Sequence, residues 1–95
     1  MITRIVKLTF AENKVQNFLA VFNENAHHIR SFKGCQSMTL LRDKQNTNLF
    51  FTYSIWQSEN DLEQYRKSEL FGKVWGTVKL YFSAKAEAWT CDEGI

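Results

Sequence analysis

The side chains best suited to chemistry are three aromatic residues in the second half of the chain, Tyr65, Phe71 and Trp75. They lie along a segment of helical periodicity that we expect to bend between Arg66 and Ser68. A planar aromatic ligand could stack between these rings and a sheet, and the Tyr65 phenol could donate a hydrogen bond to a substrate oxygen. Because aromatic stripes at helical spacing more often form ordinary core, the sequence leaves both interpretations open.

Two adjacent histidines, His27 and His28, offer a base for proton abstraction, since an ordinary imidazole has a pKa of about 6.5. Neighbouring residues on a helix point about 100° apart, so the two rings cannot line one cavity. Ala26 and Ile29 occupy the inward stripe, which places His28 nearer the edge and makes it the candidate base. The alternative is a pair of surface histidines favoured by the negative end of the helix dipole.

Gly72 and Gly76 lie one helical turn apart, beside Trp75. Each costs about 1 kcal/mol relative to alanine in a helix interior, so a structural reason is expected. Either the helix packs closely on the sheet or a neighbour, or the missing side chains leave space for a ligand. The sequence favours close packing.

Composition excludes several classes of function. Twelve basic and ten acidic residues are spread along the chain, with a net charge of +2, so no nucleic-acid partner is expected. No run of about 18 apolar residues occurs and the chain enters a strand pattern at once, which predicts no membrane partner and a cytoplasmic location. Cys35 and Cys91 lack metal-ligand spacing, so free thiols and no metal site are predicted.

The elements that must position these residues follow from hydrophobic periodicity. The pattern predicts a strand at 2–10, a helix from 12 to about 33, strands at 35–42 and 49–57 around a turn at 43–48, a bent helix from 58 to 82, and a strand at 83–91. Ser58 is the predicted helix N-cap. The order β-α-β-β-α-β predicts an α+β, ferredoxin-like split βαβ fold, with a four-stranded antiparallel sheet and both helices on one face.

The strands carry apolar residues on both faces, as Phe50 against Phe51 illustrates, and 44% of the residues are hydrophobic. One sheet face would therefore lie bare in a monomer, and we expect a second copy to cover it in a homodimer. The ferredoxin-like order places the second and fourth strands at opposite edges, so Cys35 and Cys91 cannot bridge within one chain.

The chain resembles the antibiotic biosynthesis monooxygenase (ABM) superfamily of dimeric α+β barrels over nearly its whole length, as one domain spanning 1–95. The resemblance is carried by the opening strand and helix, by the passage at 32–35 into the second strand, and above all by the segment from Tyr53 to Leu62 and its continuation to Phe71.

This resemblance implies a cofactor-independent monooxygenase, in which an electron-rich quinol, anthrone or phenolic substrate is deprotonated and its carbanion reduces dioxygen directly. The implied requirements are an apolar cavity, a base and a polar anchor. The candidate catalytic residues are then His28 and Tyr65, and the candidate pocket residues are Phe51, Trp56, Phe71 and Trp75.

The haem-degrading branch of the superfamily places an Asn on the first strand, a Trp on the helix and a His iron ligand further along. Here the first strand has no Asn, and the places of the Trp and the His hold Tyr65 and Trp75 respectively. Haem degradation is therefore not expected. The alternative function is a non-catalytic dimeric module of the same fold, which binds and sequesters a lipophilic small molecule or has a stress-protective role. A packed interior around Trp75 would favour a structural role, whereas an open void with a polar group at its end would favour catalysis.

Overall fold

The structure is a computed structural model that describes residues 1–92. Its strands and α-helices are β1 (Ile2–Thr9), α1 (Val15–Arg30), β2 (Cys35–Arg42), β3 (Leu49–Trp56), α2 (Glu59–Arg66), α3 (Glu69–Val78) and β4 (Glu87–Asp92). All strand pairs are antiparallel and the sheet order is β2-β3-β1-β4. The predicted α+β, ferredoxin-like fold is confirmed.

The helices cover one face of the sheet, here called the inner face. Leu8, Met38 and Phe50 project from it and are buried against the apolar stripe of α1, which includes Phe18 and Phe22. Phe18 also stacks on the neighbouring Phe10, with ring centroids 4.1 Å apart. This packing fixes α1 against the strands and leaves α2 and α3 over the other part of the inner face.

Two serine caps set the bend in the second helical segment. The Ser58 hydroxyl accepts a hydrogen bond from the Asp61 backbone N–H at 3.1 Å, and the Ser68 hydroxyl accepts one from Phe71 N–H at 3.1 Å. Ser68 also donates to the Tyr65 carbonyl at 2.6 Å, which closes α2 against α3. Each cap satisfies backbone donors at a helix start, and the predicted N-cap and the predicted bend are both confirmed.

The end of the chain differs from the prediction. The α-helix ends at Val78, a short 3-10 helix follows at Lys79–Tyr81, and the last strand begins at Glu87 rather than at 83. Phe82 still forms an isolated β-bridge with Phe10, just after β1. The Ser83 backbone N–H donates a 2.9 Å hydrogen bond to the Thr9 carbonyl at the end of β1. Continuous strand pairing resumes only where Glu87 stands opposite Lys7, so the alternation at 83–86 reflects small residues in a connection.

The second sheet face, here called the outer face, is apolar and uncovered. Leu41, Tyr53 and Trp89 are exposed on it, with relative exposures of 49%, 39% and 47%. Cys35 and Cys91 lie on opposite edge strands, as predicted, and both thiols are free and half-buried. Within residues 1–92, no helix combines the length and hydrophobicity needed to cross a membrane.

Candidate functional site

A cavity of about 100 Å³, here called the inner cavity, lies between the inner sheet face and the helices. Its wall is almost entirely apolar. The residues that line it are Arg4, Val6, Leu8, Phe18, Phe22, Ile29, Met38, Thr52, Ser54, Tyr65, Phe71, Val74, Trp75 and Val78. The two helices that carry the predicted aromatic stripe, α2 and α3, therefore line one space together with α1 and the sheet.

A second space of about 300 Å³, here called the outer cleft, adjoins the inner cavity. It is lined by Arg4, Val6, Arg66, Phe71, Trp75, Ala86, Glu87 and Ala88, of which Arg4, Val6, Phe71 and Trp75 also line the inner cavity. The Phe71 and Trp75 rings are nearly parallel, 8° apart in plane and 5.8 Å between centroids. These two side chains, together with Arg4 and Val6, thus line both spaces and form the boundary between them.

Tyr65 reaches the inner cavity from α2 and is held by other rings. It stacks on Trp56 at 4.9 Å and meets Phe71 edge-on at 5.3 Å and Phe32 edge-on at 5.4 Å. Burial, and secondarily the neighbouring Cys35 thiol, raises the pKa of Tyr65 to about 12. The phenol is therefore protonated at neutral pH, and it can donate a hydrogen bond but cannot serve as a base.

Arg4 is the polar residue that the sequence reasoning missed. It projects from the inner face of β1, opposite Ser54 and Thr90, and its guanidinium donates to the Thr90 hydroxyl at 2.8 Å. Burial, together with the nearby Arg66 cation, lowers the pKa of Arg4, while Glu63 acts in the opposite direction. Its signal in the sequence was an arginine interrupting the apolar alternation of the first strand.

Three of the predicted site residues share this site. Tyr65, Phe71 and Trp75 all line the inner cavity, and Trp75 is half-buried rather than enclosed. The interior around these three side chains therefore holds a small cavity, and its lining includes the polar side chains of Arg4 and Tyr65.

Two predicted pocket residues do not line the cavity. Phe51 lies on the outer face, because it pairs with Lys7 and Leu41 while its neighbour Phe50 takes the inner position. Trp56 is on the inner face but only 1% exposed, behind Tyr65, and its indole N–H donates to the Ser54 hydroxyl at 3.0 Å. Trp56 is thus a support for Tyr65, and the prediction for Phe51 is wrong because adjacent strand residues point to opposite faces.

His28 does not reach the inner cavity either. It is exposed and lies in a surface depression between α1 and α3, which also includes Glu24, Lys33 and Lys73. Its ring is 3.9 Å from that of His27, so both imidazoles lie on the outer side of α1. The apolar stripe through Ile29 faces the sheet and turns the preceding residue away, which removes His28 as a base for chemistry at Tyr65 and Trp75.

The glycines of α3 face open space. A Cβ atom built on Gly72 or Gly76 would meet no other heavy atom within 4 Å, apart from those of neighbouring residues and the helix backbone. Close packing of α3 on its own sheet, which the sequence analysis favoured, is therefore wrong within one protomer. Gly34 is the contrasting case, with a φ of 87° and the Asp61 side chain in the position that a Cβ would need.

The described residues of the site offer no imidazole and no thiolate to a haem iron. Among residues 1–92, those lining the inner cavity and the outer cleft include no histidine, cysteine or methionine other than Met38. Both histidines lie on the exposed side of α1. No group of three or more histidine, cysteine, aspartate or glutamate side chains in that part of the chain could hold a metal ion.

A family model described as antibiotic biosynthesis monooxygenase matches residues 1–74. Among solved structures, an antibiotic biosynthesis monooxygenase superposes with a TM-score of 0.93 at 15% identity, covering 100% of both chains. A conserved protein of Methanosarcina mazei Go1 gives a TM-score of 0.92 at 18% identity, covering 99% of this chain and 94% of its own. A Mycobacterium tuberculosis protein gives 0.90 at 13% identity, covering 99% and 95%. Curated proteins give no significant match.

Proposed function

Because the chain belongs to the antibiotic biosynthesis monooxygenase family, we propose that it is a cofactor-independent monooxygenase acting on a small aromatic substrate, a quinol, anthrone or phenol, with dioxygen. The observation that carries the proposal is the pair of adjoining spaces around Phe71 and Trp75, which have aromatic walls and include the polar groups of Arg4 and, in the inner cavity, Tyr65 in their lining. Such a mostly apolar pocket with a few convergent polar groups is the usual form of a small-molecule site.

In the proposed reaction the substrate supplies all the electrons. Loss of a proton makes the ring electron-rich, the resulting carbanion reduces dioxygen, and one oxygen atom enters the substrate while the other leaves as water. The protein holds the ring against Phe71 and Trp75, and Tyr65 donates a hydrogen bond to an oxygen on which negative charge develops. The apolar wall excludes bulk water from the reduced oxygen species.

The size of the inner cavity limits the substrate. An apolar cavity of about 150 Å³ holds benzene, so the space of about 100 Å³ receives dioxygen or the edge of one ring. A two- or three-ring substrate has to extend past Phe71 and Trp75 into the outer cleft of about 300 Å³. In this proposal Trp75 therefore contacts the substrate in both the inner cavity and the outer cleft. Its side chain governs how far the substrate ring enters the inner cavity.

We also propose that the protein works as a homodimer through its outer face. Leu41, Tyr53 and Trp89 are exposed there beside the half-buried Ile5 and Phe51, an apolar surface that a second copy would remove from water. The inner cavity and the outer cleft open on the other side of the sheet, so each protomer would keep its own site.

The experiment that tests the oxygenase proposal is dioxygen uptake by chelator-treated protein with a panel of hydroquinones, anthrones and catechols. We expect uptake by the wild type, loss of most of it in a Trp75→Ala, Tyr65→Phe double variant, and retention in His28→Ala, which changes a residue outside the cavity. Thermal unfolding of each variant controls for loss of folded protein. Uptake at the buffer rate across the panel would contradict the proposal.

A second function, sequestration of a small lipophilic molecule without turnover, is favoured by one observation. The ionisable residues of the inner cavity among residues 1–92 are Arg4 and Tyr65, and neither accepts a proton at neutral pH. A binding module needs no base. Saturable binding of a panel compound without dioxygen uptake would select this function over catalysis.

A further inference from the structure

The outer cleft has an excess of positive charge. Arg4 and Arg66 line it together with Glu87, the only carboxylate among its described lining residues. Glu87 already pairs with Lys7, with 3.6 Å between the ammonium nitrogen and a carboxylate oxygen, and Arg66 pairs with Glu63 at 2.9 Å. Within residues 1–92 no carboxylate lies at ion-pair distance from Arg4, whose hydrogen-bond partner is the neutral Thr90 hydroxyl.

A half-buried guanidinium on an apolar sheet face is costly to maintain. Burial removes part of its hydration, and the nearby Arg66 cation adds repulsion that Glu63 only partly offsets, and these effects lower the pKa of Arg4. An arginine stem can lie along apolar surface for packing alone, with its head in water. Arg4, however, lines both spaces, as Trp75 does, and a ligand anion bound there would supply the missing counter-charge.

We propose that the substrate of this site is an aromatic molecule with an anionic oxygen, a phenolate or a carboxylate, which pairs with Arg4 while its ring packs against Phe71 and Trp75. The inference rests on the proposed function, because it names the substrate class of the same site. Arg66 also lines the outer cleft and adds to the positive potential, but it is already paired with Glu63 and is not the direct partner in this proposal.

This assignment also accounts for a site that lacks a base. A phenol that binds as its phenolate has already released its proton to bulk water, and the electron-rich anion then meets dioxygen without proton transfer to the protein. The charged and titratable groups around Arg4 are Arg66 and Glu63 from α2, Glu87 from β4 with its partner Lys7, and Tyr65 in the inner cavity. Tyr65 would then donate to the substrate rather than accept from it.

The first arm of the test compares 2-naphthoate with its neutral isostere 2-naphthamide by isothermal titration calorimetry. In the wild type we expect 2-naphthoate to bind at least about tenfold more tightly, which corresponds to about 1.4 kcal/mol. Arg4→Met, which keeps the length of the apolar stem, should abolish this preference, and Arg4→Lys should retain part of it. Arg42→Met removes a cation at the end of β2, outside both spaces, and should leave the preference unchanged.

The second arm uses 4-nitrophenol, whose phenolate absorbs visible light. At a fixed pH near its own pKa, the wild type should raise the phenolate fraction of the bound ligand, and Arg4→Met should not. A response in the first arm alone identifies the preferred anion as a carboxylate, and a response in the second arm alone identifies it as a phenolate. Equal binding of 2-naphthoate and 2-naphthamide together with an unchanged phenolate fraction would overturn the inference, as would a folded Arg4→Met that retains both effects.

Failure of this inference and failure of the oxygenase proposal give different results. The naphthalene probes carry no oxidisable hydroxyl group, so they report binding without turnover. Dioxygen uptake with no preference for anions would support the oxygenase proposal and contradict the anion site. Arg4-dependent binding of anions without uptake from any phenol would leave the anion site in a binding module.

Discussion

Arg4 and Tyr65 approach the inner cavity from opposite sides, one from β1 and the other from α2, and both carry a proton at neutral pH. The site is therefore equipped to stabilise negative charge rather than to generate it. Burial keeps the Tyr65 phenol protonated, because apolar surroundings disfavour the charged phenolate. The Arg4 guanidinium stays protonated because arginine is charged almost anywhere in a protein.

The raised pKa of Tyr65 predicts a loss of stability at alkaline pH. An unfolded tyrosine ionises at about 10 and folded Tyr65 at about 12, so the protonated phenol stabilises the fold fully below pH about 10. This contribution, on the order of 2 kcal/mol, is lost as the pH rises toward about 12. Urea unfolding should show wild type falling relative to Tyr65→Phe across that window. Parallel pH profiles would contradict the burial of the phenol.

Residue-scale sequence reasoning located half of the site. The aromatic stripe identified Tyr65, Phe71 and Trp75, because helical spacing places such residues on one face. It misplaced Phe51, since both faces of β3 are apolar and the pattern alone does not say which of Phe50 and Phe51 faces the helices. It passed over Arg4, although a charge at an apolar position of a half-buried strand was the signal available.

At the scale of elements, the break between α2 and α3 creates the site. Ser68 caps α3 and closes α2 at the same point, and this places Tyr65 and Phe71 edge-on at 5.3 Å on either side of the break. Ser58 and the polar residues of the turn at 43–48 were readable because each acts on its own neighbours in the chain. The start of β4 was not, because it depends on where the strand meets Lys7 across the sheet.

The two glycines of α3 provide a test of how that helix packs. Gly72→Ala and Gly76→Ala should each raise the free energy of unfolding by up to about 1 kcal/mol, since the new methyl group meets open space and alanine favours the helix. Thermal or urea unfolding measures the change. Gly34→Ala is the matched contrast and should destabilise the protein, because φ at that residue is 87°. A loss of stability at Gly72 or Gly76 would contradict the open space that the structure shows beside these glycines.

At the scale of the whole molecule, the sheet has two different faces. Its inner face carries the core, the inner cavity and Arg4, whereas its outer face exposes Leu41, Tyr53 and Trp89. The apolar alternation on both faces indicated this division from the sequence. The depth of the inner cavity was not readable in that way, because it depends on how far α2 and α3 stand from the strands.

The outer face should hold the homodimer together. Trp89→Glu places a charge on the exposed apolar surface, on the edge strand β4, and we expect it to shift sedimentation velocity from dimer to monomer at micromolar concentration. Leu80→Glu is the control, since Leu80 is 73% exposed but follows α3 and lies off the sheet. A monomeric wild type, or a dimer that survives Trp89→Glu unchanged, would contradict this role of the outer face.

The central claim is that oxygenation takes place beside Trp75 without a cofactor, and labelled dioxygen tests it most directly. Chelator-treated protein is supplied with ¹⁸O₂ and the substrate that gives the fastest uptake. The ¹⁸O content of the product is measured by mass spectrometry. We expect one ¹⁸O atom per product molecule, with similar rates of product formation by wild type and His28→Ala and a rate at least about tenfold lower for folded Trp75→Ala. Label absent from the product, or equal rates in wild type and Trp75→Ala, would contradict it.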